Sequence, residues 1–320
     1  MGLDGFGAAP HAERRNGLKV YLRIAVISLA SLALVACQST TGAKPGSPLP
    51  ASDTHSSVQT PVAQASGVAA IGYAAPALTA ETRGYSELVI DMSTGRELLE
   101  LNADAPRFPA SLTKMMTLYL LFEEVNSGRL SMSSALAVSA HAQSQPPAKL
   151  GLKAGDTITV EQAARAMAVK SANDVAVVVA EAISGSEGAF ARKMTAKAQA
   201  LGMRSTRFKN ASGLPDAGHV STARDMARLG LALKRRFPQY SAFYRARSFE
   251  FEGRTFEATN NLIGRVAGVD GLKTGYIRLA GYNLVATANR GGRRRLVVVM
   301  GGSSEKVRDD RVTALLDEAL

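Results

Sequence analysis

The pattern of apolar and polar positions divides the chain into three unequal parts. Residues 24–36 read IAVISLASLALVA, thirteen apolar or small residues in an unbroken run. From Gln38 to about Arg83 Ser, Thr, Pro, Ala and Gly dominate and aliphatic periodicity disappears. From Gly84 the periodicity returns and persists to Leu320. There, residues 85–91 and 96–101 are strand-like, joined by Met92-Ser93-Thr94-Gly95 as a hairpin turn. Residues 110–126 predict a helix with Met115, Leu118, Tyr119 and Phe122 on its apolar side, stopped by Gly128. Thr159-Val160-Glu161-Gln162 has the form of a capping box opening a helix to Val169. Residues 173–183 are apolar all round, which predicts a buried helix. Ser221 is placed to cap another helix, with Met226, Leu229 and Leu233 on one face. Residues 271–276, 281–289 and 294–300 predict a meander with Gly291-Gly292 as one of its turns, and residues 307–320 a closing helix.

Strands at the start, helices in the middle and strands at the end predict an α/β (α+β) domain. One antiparallel sheet is completed by both ends of the domain and flanked by helices, and the middle segment forms a helical lobe. A cleft between lobe and sheet is the natural place for a site.

Ahead of the apolar run stand Arg14, Arg15, Lys19 and Arg23. A basic region followed by an apolar core of that length describes an export signal and is too short for a membrane span. It ends in Leu34-Val35-Ala36-Cys37, which resembles a lipobox, and Cys37 is the only cysteine in the chain. The expected organisation is a signal over 1–36, a tether over 37–83 and a catalytic domain over 84–320. With Cys37 lipidated, the protein is expected to be exported to the periplasm or cell envelope and held to a membrane through its N-terminal lipid. The tether composition cannot bury enough apolar surface to offset its ordering entropy. A flexible chain of that length spans roughly 35–40 Å root-mean-square and reaches about 150 Å fully extended.

Composition narrows the partners. A formal charge of +11 favours a polyanionic neighbour. No nucleic-acid module accompanies it, and 6% aromatics with no Trp leave little for bases to stack on, so nucleic acid is not expected. A single cysteine excludes an internal disulfide. His11, His55, His141 and His219 have no ligand-like spacing, so neither a metal nor another cofactor is expected.

Candidate chemistry begins at Ser111-Leu112-Thr113-Lys114. Residues three apart on a helix share a face, and a serine needs a neighbouring base to become a nucleophile. A lysine serves only if burial or another cation lowers its pKa. At a helix N-terminus Ser111 also presents its own backbone N–H to a developing oxyanion. Alone the spacing is weak: Ser303-x-x-Lys306 also matches and is read as surface polarity. The company it keeps is more specific. Ser171-Ala172-Asn173 is the only Ser-x-Asn in the chain and Lys273-Thr274-Gly275 the only Lys-Thr-Gly.

In that order the three motifs resemble those of the penicillin-recognising acyltransferases. The chain is similar to the serine D-alanyl-D-alanine carboxypeptidases, the low-molecular-weight penicillin-binding proteins, over about residues 84–320. Further similar passages are 109–117 (PASLTKMMT), 169–175 (VKSANDV), 201–206 (LGMRST), 212–215 (SGLP), 221–226 (STARDM) and 269–276 (VDGLKTGY). The resemblance implies a β-lactamase/transpeptidase-like fold, peptidoglycan stem peptides as substrate and β-lactams as covalent inhibitors. It implies that Ser111 attacks the carbonyl between two terminal D-alanines while Lys114 takes its proton. Ser171, bridged to Lys114 and Lys273, would pass a proton to the leaving D-alanine. Asn173 would hold the substrate backbone and fix Lys114, and Lys273 and Thr274 would bind the terminal carboxylate. Gly275 would leave room for an extended peptide along the strand edge. The amides of Ser111 and Tyr276 would form the oxyanion hole. Arg308 aligns with an arginine that some relatives place near the carboxylate; the alternative is an ion pair with Asp309, Asp310 or another surface acid.

There are departures. Some relatives have His where Tyr276 stands, which leaves any side-chain role there open. Relatives often continue into a second β-rich domain and a C-terminal amphipathic anchor, and neither is expected here. No Glu-x-x-Leu-Asn follows the Ser-x-Asn motif, so efficient β-lactam hydrolysis is not expected. A D,D-endopeptidase shares the same acyl-enzyme and stays open, as does a non-catalytic wall-binding lipoprotein of the same fold.

Overall fold

Asp91 turns the chain back on itself. Its carboxylate accepts from the amides of Ser93 and Thr94 at 2.8 and 3.2 Å, and Gly95 supplies φ +78°. This closes the expected hairpin between β1 (Ser86–Asp91) and β2 (Glu97–Leu101). The computed structural model describes residues 84–320; Cys37, the export signal and the tether lie outside them.

The chain then enters the helical lobe. A 3-10 turn over Ala110–Thr113 leads into α1 (Lys114–Asn126), so the expected helix begins with one tighter turn. Two short strands, β3 (Ala135–Ala137) and β4 (Thr157–Thr159), pair around α2 (Ala140–Gln143). The capping box at Thr159 and Gln162 forms with both arms and opens α3 (Val160–Arg165). One π-helical turn, Ala166–Lys170, follows and stops at Ser171, whose backbone is left-handed with φ 64°. Next come α4 (Asn173–Ser184) and α5 (Glu187–Ala200). The helix α6 (Ala223–Arg236) is capped by Thr222, not by Ser221 as expected. Ser221 is used otherwise: its backbone pairs with Arg107 and its hydroxyl lies 2.8 Å from that of Thr206. A short α7 (Ser241–Arg245) precedes a hairpin of β5 (Ser248–Phe251) and β6 (Arg254–Glu257).

The meander follows as β7 (Val269–Ile277), β8 (Gly281–Arg290) and β9 (Arg293–Gly302), then α8 (Glu305–Ala319), capped by Ser304. The sheet order is β2-β1-β9-β8-β7, antiparallel throughout, so both ends of the domain complete one sheet as the pattern predicts. Alternate side chains of its central strands enter different cores. Leu88, Val285, Leu296 and Val298 join the core shared with α1, α4 and α6. Val89, Ala286, Val297 and Val299 join Val312, Leu315 and Leu316 of α8 on the other face. A strand covered on both faces reads as a near-continuous apolar run, as β8 and β9 do.

Candidate active site

The nucleophile candidate is fixed by contacts on either side of its turn. Asn283, wholly buried in β8, donates from Nδ2 to the carbonyls of Phe108 and Pro109 at 3.0 and 3.2 Å, and its Oδ1 accepts from Gly301 N at 2.9 Å. That one amide ties the chain entering Ser111 to two strands of the sheet. On the lobe side, Gly213 lies so close that a Cβ there would sit 1.8 Å from Ala110 O. Thr113 Oγ1 meets Nε2 of buried His219 at 2.8 Å, and His219 Nδ1 accepts from Lys209 N. The proton of a neutral His219 therefore sits on Nε2 and is donated to Thr113. Burial holds this imidazole far down, at about 3.

Lys114 is fully buried one turn after Ser111. Its Nζ lies 3.1 Å from Ser111 Oγ, 2.7 Å from Asn173 Oδ1 and 2.7 Å from Ser212 O. Asn173 Nδ2 donates to Pro146 O, which fixes the amide with Oδ1 toward the lysine. Asp174 beside it accepts from the amides of Leu150, Gly151 and Leu152, fastening the loop that carries Pro147 and Ala148 into the cleft wall. Burial first, then the charge of Lys273, holds Lys114 well below the usual lysine range.

On the opposite wall runs β7. Lys273 is buried behind the cleft surface with Nζ donating to Thr274 O at 2.8 Å. Burial, then the charge of Arg308, lowers its pKa to about 7. Thr274 faces the cleft and donates to Thr259 Oγ1. Gly275 has a reason beside the expected one: a Cβ there would stand 3.0 Å from Ser111 N and 3.0 Å from Pro109 O. The glycine lets β7 pass against the nucleophile turn, and it brings the Ser111 amide beside the strand that supplies Tyr276. The Tyr276 ring stands exposed in the cleft and packs on Tyr282, centroids 4.4 Å apart.

Two expectations need correction or choice. Ser171 does not bridge the lysines. Its Oγ is buried with no hydrogen-bond partner among the described residues, while Lys114 bonds to Ser111, Asn173 and Ser212, and Lys273 to Thr274 O. For Arg308 the ion pair forms: Nε and Nη2 both donate to Asp309 Oδ1, at 2.9 and 2.6 Å. It also lines the cleft, so the ion pair leaves the carboxylate reading open. Ser111, Ser171, Asn173, Thr274, Tyr276 and Arg308 thus share one cavity of about 370 Å³. The spare Ser303-x-x-Lys306 match lies on the surface, with Lys306 paired to Asp310.

The chain is similar to known proteins over most of its length. Residues 73–304 match the peptidase S11 family, described as D-alanyl-D-alanine carboxypeptidase. The chain belongs to that family. It is 39% identical over 238 residues to D-alanyl-D-alanine carboxypeptidase DacF of Bacillus subtilis (strain 168), covering 73% of this chain and 61% of that one. With DacA of Escherichia coli (strain K12) it shares 38% over 238 residues, 72% of this chain and 59% of that one. The chain thus spans about three fifths of the length of these relatives. Among solved structures, penicillin binding protein 5 of Haemophilus influenzae superposes with TM-score 0.70 at 33% identity, covering 72% of this chain and 69% of that one. Penicillin-binding protein D2 of Listeria monocytogenes in its ampicillin-bound form gives 0.64 at 32%, covering 72% and 95%. The fold of this S11 member is that of the penicillin-binding and transpeptidase proteins.

Asn283 and His219 are site residues that neither the motifs nor the similar passages pointed to, and Ser212 and Gly213 fall in the similar passage 212–215, for which no role was expected. Asn283 had a signal, a lone amide inside the apolar run GYNLVATA. Ser212 acts through its carbonyl, which leaves no trace in residue identity.

Proposed function

We propose that the chain is a serine D-alanyl-D-alanine carboxypeptidase that removes the terminal D-alanine from peptidoglycan stem peptides through an acyl-enzyme on Ser111. The observation that carries it is the set of contacts around Lys114 Nζ. A neutral amine has two N–H groups and one lone pair. Asn173 Oδ1 and Ser212 O can only accept, so they take the two hydrogens and leave the lone pair for the Ser111 hydroxyl. Burial and Lys273 favour the neutral form.

Ser111 Oγ then attacks the scissile carbonyl carbon as its proton passes to Lys114. The amides of Ser111 and Tyr276 hold the oxyanion. The C–N bond breaks, and D-alanine departs with the proton that Lys114 accepted, relayed through Ser171 of the cleft wall once its hydroxyl turns from its buried, unbonded position toward the lysine. Water gives a proton to the same base as its oxygen attacks the ester carbonyl; the C–Oγ bond breaks, and Ser111 takes that proton from Lys114. Lys273, Thr274 and Arg308 supply positive charge and a hydroxyl for the terminal carboxylate. A β-lactam follows the first half of this path, but its opened ring remains tethered, so the ester persists.

The same proposal places the domain in the cell envelope, exported by residues 1–36, lipidated at Cys37 and carried on the tether over 37–83. A single fatty chain anchors a protein only marginally, whereas two or more anchor it stably. Cys37→Ser should therefore move active enzyme from the membrane fraction to the soluble fraction.

Intact mass after exposure to penicillin should rise by one drug mass, located at Ser111. Ser111→Ala should lose both the label and the release of D-alanine from purified muropeptides. Labelling that survived the substitution would place the nucleophile elsewhere. Cleavage confined to cross-linked muropeptides would make the enzyme an endopeptidase.

A further inference from the structure

A second concave surface lies on the helical lobe, outside the cleft. One face of α5 presents Gly188, Arg192, Thr195, Ala196 and Gln199, the i, i+4, i+7 spacing of a single helical stripe. Alongside runs the extended segment Arg207-Phe208-Lys209, fastened to the helix because Thr195 Oγ1 donates to Phe208 O and Phe208 N donates to Thr195 Oγ1. Side chains alternate along an extended chain. Phe208 is buried, and Arg207 and Lys209 stand together at the wall of the groove. Small residues keep its floor low, and a Cβ at Gly188 would touch the Arg192 guanidinium at 4.0 Å. The result is a groove of about 590 Å³.

Its charge is one-sided. Arg192, Arg207 and Lys209 line it, no acidic residue does, and none of the three is in an ion pair with a described acid. Other basic residues of α5 behave differently: Lys193 is paired with Glu124 and Lys197 with Glu123. On the Lys209 side Asp216 accepts from Gly218 N. Three cations that have no acidic partner among the described residues and converge on one concavity form a site for an anionic chain.

We infer that this groove binds a carboxylate-bearing polymer, the wall strand itself, at a distance from the bond being cut. The choice of polymer rests on the proposed activity. A concave groove suits a strand better than a flat bilayer surface. The exposed large apolar side chains of the described residues, Leu101, Tyr276 and Val307, all lie outside the groove, so it offers nothing to insert between lipids. Phe208, the only aromatic among the described residues lining it, is buried, so the groove offers nothing for bases to stack on. The groove and the cleft are joined by one segment: Lys209 leads directly to Ser212, whose carbonyl holds Lys114. Binding there would keep a large substrate close while individual stem peptides enter the cleft.

The test separates retention from turnover. Retention on purified peptidoglycan sacculi is measured with the full chain carrying Ser111→Ala, so that the sacculi are not altered. Adding Arg192→Gln, Arg207→Gln and Lys209→Gln should lower retention about ten- to a hundredfold, since each exposed ion pair contributes about two- to fivefold. Retention should fall steeply with salt. It should drop to the level of the triple variant when the sacculus carboxylates are amidated. With Ser111 intact, the triple variant should release D-alanine from a short soluble peptide at the unaltered rate. Undiminished retention of the triple variant overturns the inference, as does equal retention on amidated sacculi. So does a loss confined to anionic lipid vesicles, which would make the groove a membrane contact. If penicillin failed to acylate Ser111 while retention behaved as expected, the activity would fall and the groove would stand.

Discussion

Lys114 Nζ and Asn173 Oδ1 lie 2.7 Å apart, and this contact helps decide where the lysine lone pair points. With Ser212 O taking the second hydrogen, the remaining direction is toward Ser111. The proposed base is aimed by two acceptors, one from the Ser-x-Asn motif and one from a main-chain carbonyl, and its surroundings favour the neutral form.

Lys114→Arg keeps the charge but cannot supply a base. Penicillin acylation should fall by about a hundredfold or more, the range for a lost general base. Lys114→Gln should lose as much while adding no buried charge. For the native enzyme the acylation rate should fall as pH drops through the depressed pKa of Lys114, because protonation removes the lone pair. Stopped-flow acylation across pH measures this, and a rate indifferent to the substitution would rule the base out.

Asn283 is a positioning residue, and its removal should show in rate as well as stability. Asn283→Ala leaves Phe108 O, Pro109 O and Gly301 N without their buried partner. Stability should fall by about 1–3 kcal/mol. Acylation of the folded fraction should slow by about tenfold or more, with the initial non-covalent affinity for penicillin less affected, because the Ser111 turn loses its register against β7. A purely structural role would leave the rate of the folded fraction unchanged.

Arg308 connects the cleft to Lys273. Arg308→Ala should reduce kcat/KM on peptides ending in a free carboxylate about ten- to a hundredfold, the equivalent of one hydrogen bond to a charged group. On peptides with an amidated terminus the loss should be much smaller. Equal losses on both substrates would mean that the arginine serves Asp309 alone. Removing it should also let the Lys273 pKa rise above about 7, because a like charge has gone.

His219 ties stability to pH. Its folded pKa, about 3, lies below the usual 6.5, so between those values the unfolded chain binds the proton that the folded chain refuses. Stability from this group is therefore fully present above pH 6.5 and lost as pH falls toward 3. The slope approaches about 1.4 kcal/mol per pH unit for one proton. His219→Gln keeps a donor for Thr113 and removes the titration. Denaturant midpoints at pH 7.5 and 4.5 should differ less in the variant than in the native protein, and an unchanged difference would exclude the histidine as a source.

Much of this was legible in residue identities, because the side chains that do chemistry are few and come in fixed spacings. Ser111, Lys114, Asn173 and Lys273-Thr274-Gly275 come together as the motifs imply, and the meander was visible as long apolar runs. What escaped has physical causes. Helix α5 buries only Phe190, Ala191, Met194 and Ala198, a stripe made mostly of small residues that reads as polar. The β5–β6 hairpin does alternate, with Phe249, Phe251 and Phe256 inward, but each strand is only four residues long. Ser171, its hydroxyl unpartnered among the described residues, stands left-handed at the end of a π-turn, a conformation that no side-chain pattern announces. The reason for Gly275 could not be known before the nucleophile turn was seen to pass within 3.0 Å of its missing Cβ.

The place of β1 between β2 and β9 has a consequence for the order of events in biogenesis. Ser86 pairs with Met300, and Asp91 with Arg295. The first strand of the domain to be synthesised therefore keeps an open inner edge until the ninth follows. Pairing across so many residues is slow to form, and an open apolar edge invites wrong partners in the meantime. The N-terminal hairpin can wait as a local structure, but the sheet, and with it the β7 wall beside Ser111, cannot close on a partial chain. The enzyme should thus be inert while being made, with activity arriving only once the last strand has docked.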